Sequence, residues 1–263
     1  MFKDIWKFRH NIISLIRYDF SQNYFKSYLG VAWAILAPLI NLAVLSAVFM
    51  VGFRVPPITD SGAPFAAWLA CGMVCWQFFS EGLSCGVSSI TSYAFLVRKA
   101  QFRISFLPPI RICSAFIIHC ALLIFLFCLL LFLGIYPTIY WLQWFYYATI
   151  LLLLLIGLAF VTSSVSIFLP DITNVVGVFI TVGFWATPIF WNANMVSERW
   201  RWIFDLNPVY YCVKGFRDAF LSQRWFWERP SLEHAFFGAW LILFVAAGVL
   251  LFKKLRPYFG DEL

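Results

Sequence analysis

The stretch Ile112–Leu133, ICSAFIIHCALLIFLFCLLLFL, contains no charged residue. A helix crossing the roughly 30 Å hydrocarbon layer needs about 20 mostly apolar residues, and this run supplies them. In lipid every backbone N–H and C=O must be paired within the protein, so such a run reads as a spanning α-helix. It stops at Gly134-Ile135-Tyr136-Pro137, where Gly and Pro break the helix.

Five further runs flank it. Leu29–Gly52 is charge-free, and Phe65–Phe79 continues through Glu81 to about Ile90 as a less clean second span. Trp144–Leu169, Ile172–Trp191 and Ala235–Phe252 complete the set. The expected fold is an all-α integral membrane protein with six transmembrane helices in one domain over residues 1–263. Composition agrees. Of the 263 residues, 63% are hydrophobic and 12% charged, against about 25% charged in a soluble domain. So little charge excludes a disordered chain, a nucleic-acid-binding domain and an ordinary cytosolic enzyme.

An even number of spans puts both termini on one side. With the N-terminus inside, twelve Lys and Arg are cytoplasmic and seven external, so the positive-inside rule places both ends in the cytoplasm. Lys3, Asp4, Lys7, Arg9, Arg17 and Asp19 interrupt the first twenty residues, so no cleavable signal peptide is expected. The seven cysteines form no C-x-x-C pair and fall mostly in apolar runs, as small core hydrophobes. Cys113, His119 and Cys120 do not converge on one helix face, so no metal site is expected.

Three segments are not spans. In 1–27, Ile5, Phe8, Ile12, Ile16, Phe20 and Tyr24 recur every three or four residues, with Lys7, Asn11, Ser14, Arg17, Asp19 and Gln22 elsewhere. That pattern predicts an amphipathic helix lying in the membrane interface or packed on another subunit. Segment 93–111 holds Arg98, Lys99, Arg103 and Arg111 among Phe95, Phe102 and Phe106, which suggests a basic docking element. Segment 192–234 mixes eleven charges with Trp200, Trp202, Tyr210, Tyr211 and other aromatics, and Asn207-Pro208 divides it. Rings beside charge suit short re-entrant helices at the outer headgroup level, between spans five and six. Lys214 and Asp218 are spaced to pair at i, i+4. Asp171 reads as a helix N-cap, and Glu81 as facing the protein interior or the cytoplasmic end.

The chain has no catalytic signature: no Gly is followed by Lys, so there is no P-loop, and neither H-E-x-x-H nor G-x-S-x-G occurs. Four stretches, in register over nearly the whole chain, resemble the permease subunits of type-2 ABC exporters of polysaccharides and polyol phosphates. Tyr28-Leu29-Gly30-Val31-Ala32-Trp33 through Pro38 is similar to the L-G-x-x-W-x-x-x-x-P start of that family's first span. Leu96-Val97-Arg98-Lys99 with Phe102 and Pro108 resembles its coupling segment. Pro170-Asp171 followed by Phe184-Trp185-Ala186-Thr187-Pro188-Ile189-Phe190 resembles its acid-started fifth span with an (S/T)-P-I end. Asn207-Pro208 with Gly215-Phe216-Arg217-Asp218 resembles its N-P…(Y/F)-R-D gate helices. One departure is Pro170, where the family commonly has a basic residue.

The resemblance implies a half-transporter of the bacterial inner membrane, with a second copy of itself, two ABC ATPase subunits carrying ATP and Mg, and a lipid-linked glycan of O-antigen, capsule or teichoic-acid type. It implies no cofactor in this chain and no nucleic-acid partner. ATPase coupling falls to Arg98, Lys99, Phe102, Arg103, Arg17 and Asp19, and the external gate to Trp200, Trp202, Tyr210, Tyr211, Arg217 and Asp218. Aromatic rings stack on sugar faces, so Trp33, Trp76, Phe79, Phe184, Trp185 and Phe190 are candidate pore-lining residues. Two other readings stay open: a type-2 ABC permease for a small hydrophobic compound, and a membrane-embedded glycan-processing enzyme.

Overall fold

The structure is a computed structural model that describes residues 9–24, 30–54, 62–97 and 103–262. The described residues are mostly helical, with no strand among them. Helix α1 (Arg9–Tyr24) precedes α2 (Gly30–Ala47), which runs on as a wider turn to Gly52. Helices α3 (Phe65–Val87), α4 (Leu107–Phe132) and α5 (Gln143–Ser166) follow. Then come α6 (Ile172–Ala186), the short α7 (Glu198–Asp205) and α8 (Pro208–Arg217), and finally α9 (Ser231–Leu255).

By length and composition, four helical stretches could cross a membrane: Gly30–Gly52, Ile104–Phe132, Ile139–Ser166 and Ser231–Tyr258. The second and fifth expected spans differ from these for separate reasons. Helix α3 has 23 residues, so at about 1.5 Å per residue it is long enough. It is diluted by Gln77, Ser80 and Glu81, and most of it is buried by protein. It forms the centre of the bundle, touching α2, α4, α5, α6 and α8. Helix α6 has 15 residues because the chain leaves the helix at Thr187, one residue before Pro188.

Local chemistry sets the other boundaries. Helix α4 ends in a Schellman motif: Gly134 N–H bonds the Leu131 carbonyl (3.0 Å) and Ile135 N–H the Leu130 carbonyl (2.9 Å). Gly134 has φ +78°, a conformation that glycine adopts without strain. At the other end of α4, Pro108 and Pro109 occupy the first turn, where their missing N–H is no loss. The third span therefore starts at Leu107 rather than Ile112, and the connecting segment is correspondingly shorter than 93–111. Helices α5 and α9 make the most extensive pairing. They close on Gly157 and Gly248: a Cβ at Gly248 would lie 2.7 Å from the Gly157 carbonyl oxygen.

A main core runs through α3, α4, α5 and α8. A second cluster, with Ile90, Tyr93, Ile104, Leu107, Phe160, Phe252 and Phe259, joins the ends of α3, α5 and α9 to the start of α4. The opposite end holds Trp141, Gln143, α8 and the start of α9: Gln143 Nε2 donates to the Arg224 carbonyl (3.0 Å) and its Oε1 accepts from Phe226 N–H (2.7 Å). Among the described residues, the coupling candidates Arg17, Asp19 and Arg103 thus sit at the opposite end of the bundle from the gate candidates.

Candidate functional site

The end that carries α7 and α8 is built around a broken helix. Thr187 is extended (φ −83°, ψ 134°), so the carbonyls of Pro188 and Ile189 are not taken up by a continuing helix. Arg217, the last residue of α8, fills that gap. Its Nη1 donates to the Pro188 carbonyl (2.8 Å), its Nη2 to the Ile189 carbonyl (2.6 Å) and its Nε to the Trp68 carbonyl (3.4 Å). The guanidinium carbon lies 3.4 Å from the centre of the Trp68 ring. Arg217 is buried, and no carboxylate lies within ion-pair distance among the described residues. Carbonyl dipoles and a π face hold the charge instead. Gly72 makes the room, since a Cβ there would stand 2.8 Å from Arg217 Nη2.

Asn207 ties the same two motifs a second time. Its Oδ1 caps α8, accepting from the Val209 (2.9 Å) and Tyr210 (3.4 Å) amides, and its Nδ2 donates to Thr187 Oγ1 (2.9 Å). The Thr-Pro-Ile and Asn-Pro…Phe-Arg-Asp stretches are therefore one interlocked unit.

Beneath it lies a buried charge network. Asp218 faces Arg229 (3.4 Å), Arg229 faces Glu233 (3.0 Å), and Glu233 faces Lys214 (2.6 Å). The i, i+4 pairing of Lys214 with Asp218 is not what forms. Glu233 at the start of α9 captures Lys214, because a buried carboxylate there needs both neighbouring cations. Arg229 also donates to the Tyr211 carbonyl (3.1 Å) and lies over the Tyr211 ring at 4.5 Å. Tyr211 is buried, hydrogen-bonded to His234 Nδ1 (2.8 Å) and stacked on Phe237 (4.7 Å). Tyr210 is half-buried, while Trp200 and Trp202 are exposed. A cavity of about 620 Å³ opens between these helices, lined by Arg201, Asp205, Tyr210, Lys214, Arg217 and Arg224 among others.

Gly215 fixes α8 against α5. A Cβ there would lie 2.1 Å from the Tyr147 ring, which is itself fully buried. Gly215→Ala is expected to destabilise the fold by about 1–3 kcal/mol, the usual cost of overpacking, and to lower the melting temperature of the purified full chain. An unchanged melting temperature would mean that α8 does not press on Tyr147.

The aromatic candidates divide. Trp76, Phe79, Phe184, Trp185 and Phe190 form one continuous ring cluster, with centroid spacings of 5.2 Å (Trp76–Phe79), 5.9 Å (Trp76–Phe184) and 4.9 Å (Trp185–Phe190). Trp76, Phe79 and Phe190 are buried, Phe184 is half-buried and Trp185 is exposed. Trp33 is exposed and lies apart, beside α3 and α4.

Of the coupling candidates, Arg98, Lys99 and Phe102 lie outside the described residues, and the other three are at the opposite end. Arg17 and Arg103 are exposed. Asp19 differs from the expected polar surface position. It is buried, forms an ion pair with Arg111 at 3.1 Å and accepts a hydrogen bond from the Tyr93 hydroxyl. Arg111 also donates to Ser92 (3.3 Å). Ile16, Phe20 and Tyr24 are partly covered, with Ser14, Arg17 and Gln22 outward, as the periodicity predicts. Glu81 accepts from Tyr24 at 2.9 Å, which places it at this end of α3. Asp171 starts α6, but its side chain makes no cap bond. No cluster of His, Cys, Asp and Glu among the described residues could hold a metal.

Sequence reading missed Trp68, Tyr93, Arg229 and Glu233. The one signal for the last two was charge within an apolar, aromatic segment.

Three curated proteins cover the chain from end to end. The O-antigen export system permease protein RfbA of Klebsiella pneumoniae is 23% identical over 96% of this chain and 94% of its own length. A second RfbA from that organism is 22% identical over the same shares. The Myxococcus xanthus RfbA is 21% identical over 99% of this chain and 98% of its own. The sequence pattern described as "ABC-2 type transporter" matches residues 10–221. That span runs from α1 through α8 and takes in both halves of the interlocked unit, so the chain belongs to the ABC-2 type transporter family.

Proposed function

We propose that this chain is the membrane subunit of an ATP-driven exporter that moves a lipid-linked polysaccharide, of O-antigen, capsule or teichoic-acid type, across the inner membrane. The observation that carries the reading is the end-to-end similarity to three permeases named for O-antigen export. ATP and Mg bind a separate ATPase, since the chain has no P-loop. Two copies form the pore. One side of α2 (Trp33, Ile40, Val44) and one of α6 (Val178, Phe179, Val182) expose large apolar side chains, as a face for a second copy or lipid would.

In this reading α3 and α6 join the four long apolar stretches as spans, covered by protein where they are short or polar. Helix α1 lies in the interface. Arg98, Lys99 and Arg103, with Arg17, face the ATPase, and both termini are cytoplasmic. Helices α7 and α8 close the outer end, with Trp200 and Trp202 at headgroup level and Arg217 and Asp218 holding the hinge.

Deleting the gene in a cell with an intact glycan pathway is expected to leave polymer in the cytoplasm, and the wild-type chain with its ATPase to return it to the surface. Polymer at the surface of the deletion strain would overturn the reading. Restored resistance to a hydrophobic compound, with polymer unaffected, would favour a small-molecule permease.

A further inference from the structure

Lys253 and Lys254 stand in the last turn of α9 and Arg256 just beyond it, and all three are exposed. On a helix apolar enough to span, such residues sit at the level of the lipid headgroups. The chain runs on past them through a tight turn, Arg256–Tyr258, and a short helical turn, Phe259–Glu262. A segment that only trailed off a span would leave its apolar residues in water. Phe259 does the opposite: it is 0% exposed, while Pro257, Tyr258 and Gly260 around it are exposed. Phe252, Leu255 and Phe259 follow one another at three- and four-residue spacing, so the inward face of α9 is carried past its end.

Phe259 lies edge-on to Phe252 (5.5 Å) and near Phe168 (6.2 Å), and Phe252 meets Phe160 edge-on (5.2 Å). These rings belong to the second cluster, which takes hold of the chain on both sides of three coupling candidates. Ile90 and Tyr93 enter it before Arg98 and Lys99, and Ile104 and Leu107 enter it after Phe102. Tyr93 also donates to Asp19, so α1 is tied to the same place. The buried residues of this cluster are not part of the main core. A local loosening here can therefore leave the rest of the bundle packed.

We propose that Phe259 is a positioning residue for the ATPase-docking segment, an inference that rests on the ATP-driven export reading. The ring closes the second cluster and so fixes Tyr93 and Ile104, the two points between which residues 94–103 are strung. The segment after α9 acts as a latch: its outer residues stay in water, and its one buried ring sets where Arg98, Lys99 and Phe102 meet the ATPase. The latch touches neither cargo nor nucleotide. Its effect reaches the motor only through the cluster, which separates it from a docking residue such as the exposed Arg103.

The test uses the full chain in lipid nanodiscs, with and without its ATPase, and reads hydrogen exchange by mass spectrometry. Without the ATPase, Phe259→Ala is expected to speed exchange at least tenfold in peptides covering 88–97 and 104–115, because a lost ring leaves a void that the cluster fills only in part. Peptides of α8, at the other end of the bundle, should not change. With the ATPase present, the amount recovered with the chain should fall about tenfold. Phe259→Leu keeps most of the apolar volume and is expected to restore both readouts. Tyr258→Ala, at the exposed neighbour, should alter neither. Should Phe259→Ala not fold, Phe259→Val is read in the same way. Unchanged exchange in both peptides overturns the proposal, since the ring would then cover only the end of α9. Faster exchange with normal ATPase recovery also overturns it and reduces the cluster to packing. So does an equal loss of ATPase in Tyr258→Ala, which would mean that the segment touches the ATPase itself. The two readings fail differently. If the wild-type chain recruits no ATPase, the export reading falls. If it recruits the ATPase and Phe259→Ala recruits it equally well, only the latch falls.

Discussion

Replacing Arg217 by Ala is expected to reduce surface polymer at least tenfold and to lower the melting temperature of the purified chain by several degrees. The reason is the number of groups that depend on one side chain. Three buried carbonyls, at Trp68, Pro188 and Ile189, accept from Arg217. Each buried acceptor left unpaired costs about 1–3 kcal/mol. Arg217→Lys is expected to rescue little, because an ammonium on a flexible stem cannot span acceptors that the planar guanidinium reaches as a fork. Trp68→Leu should do less harm. It removes a cation–π contact of about 0.5–2 kcal/mol but leaves all three carbonyls paired. Asn207→Ala should fall between them, since it unpairs Thr187 and removes the α8 cap, for about 0.5–2 kcal/mol. A ranking of Arg217→Ala, then Asn207→Ala, then Trp68→Leu in lost melting temperature supports a hinge locked at Pro188. Wild-type stability and export in Arg217→Ala would show that the helix break holds itself.

The long charge-free runs were legible because lipid imposes a length and an apolar composition that few soluble segments share. Ile112–Leu133 and Ala235–Phe252 both fall on helices of the expected extent, within a turn or two. Reading failed where tertiary packing overrode a local rule. Asp19 breaks the apolar periodicity of α1 and so looks solvent-facing, yet Arg111, 92 residues away, draws it inside. Lys214 has Asp218 one turn away but pairs with Glu233 on another helix. Neither choice is encoded within a window of a few residues. The Thr187–Asn207 and Arg217–Pro188 contacts are similar cases. Each partner lies in a stretch that stands out by resemblance, but the sequence says nothing of one stretch filling the gap left by the other. Five of the six aromatic candidates, all but Trp33, lie together in space, and burial of three of them reflects how α3 sits at the centre of the bundle.

Asp19→Ala is expected to be as damaging to folding as any substitution at the α1 end, although α1 is a peripheral helix. Asp19 is 1% exposed and Arg111 7%, so removing the carboxylate leaves a buried guanidinium with, among the described residues, the Ser92 hydroxyl and the Tyr93 ring at 5.9 Å and no carboxylate within ion-pair distance. Breaking one partner of such a pair costs about 3–5 kcal/mol, much of it the penalty for the stranded charge. Arg111→Met should be milder, since its apolar stem still fills the space and the Tyr93 hydroxyl remains on Asp19. The double variant Asp19→Ala/Arg111→Met should recover a large part of the loss, a non-additivity that marks direct contact. This distinguishes two roles for Asp19. If its carboxylate docks the ATPase, the single variant will release the ATPase without moving the melting temperature, and the double variant will bind no better. If it anchors α1 to α4, melting temperature and ATPase association will fall together in Asp19→Ala and recover together in the double variant. The burial of the pair argues for the second outcome: a carboxylate already held by Arg111 and Tyr93 has little surface left to offer a partner, so α1 would act on the motor through its placement, and Arg17 on its outer face would make the contact.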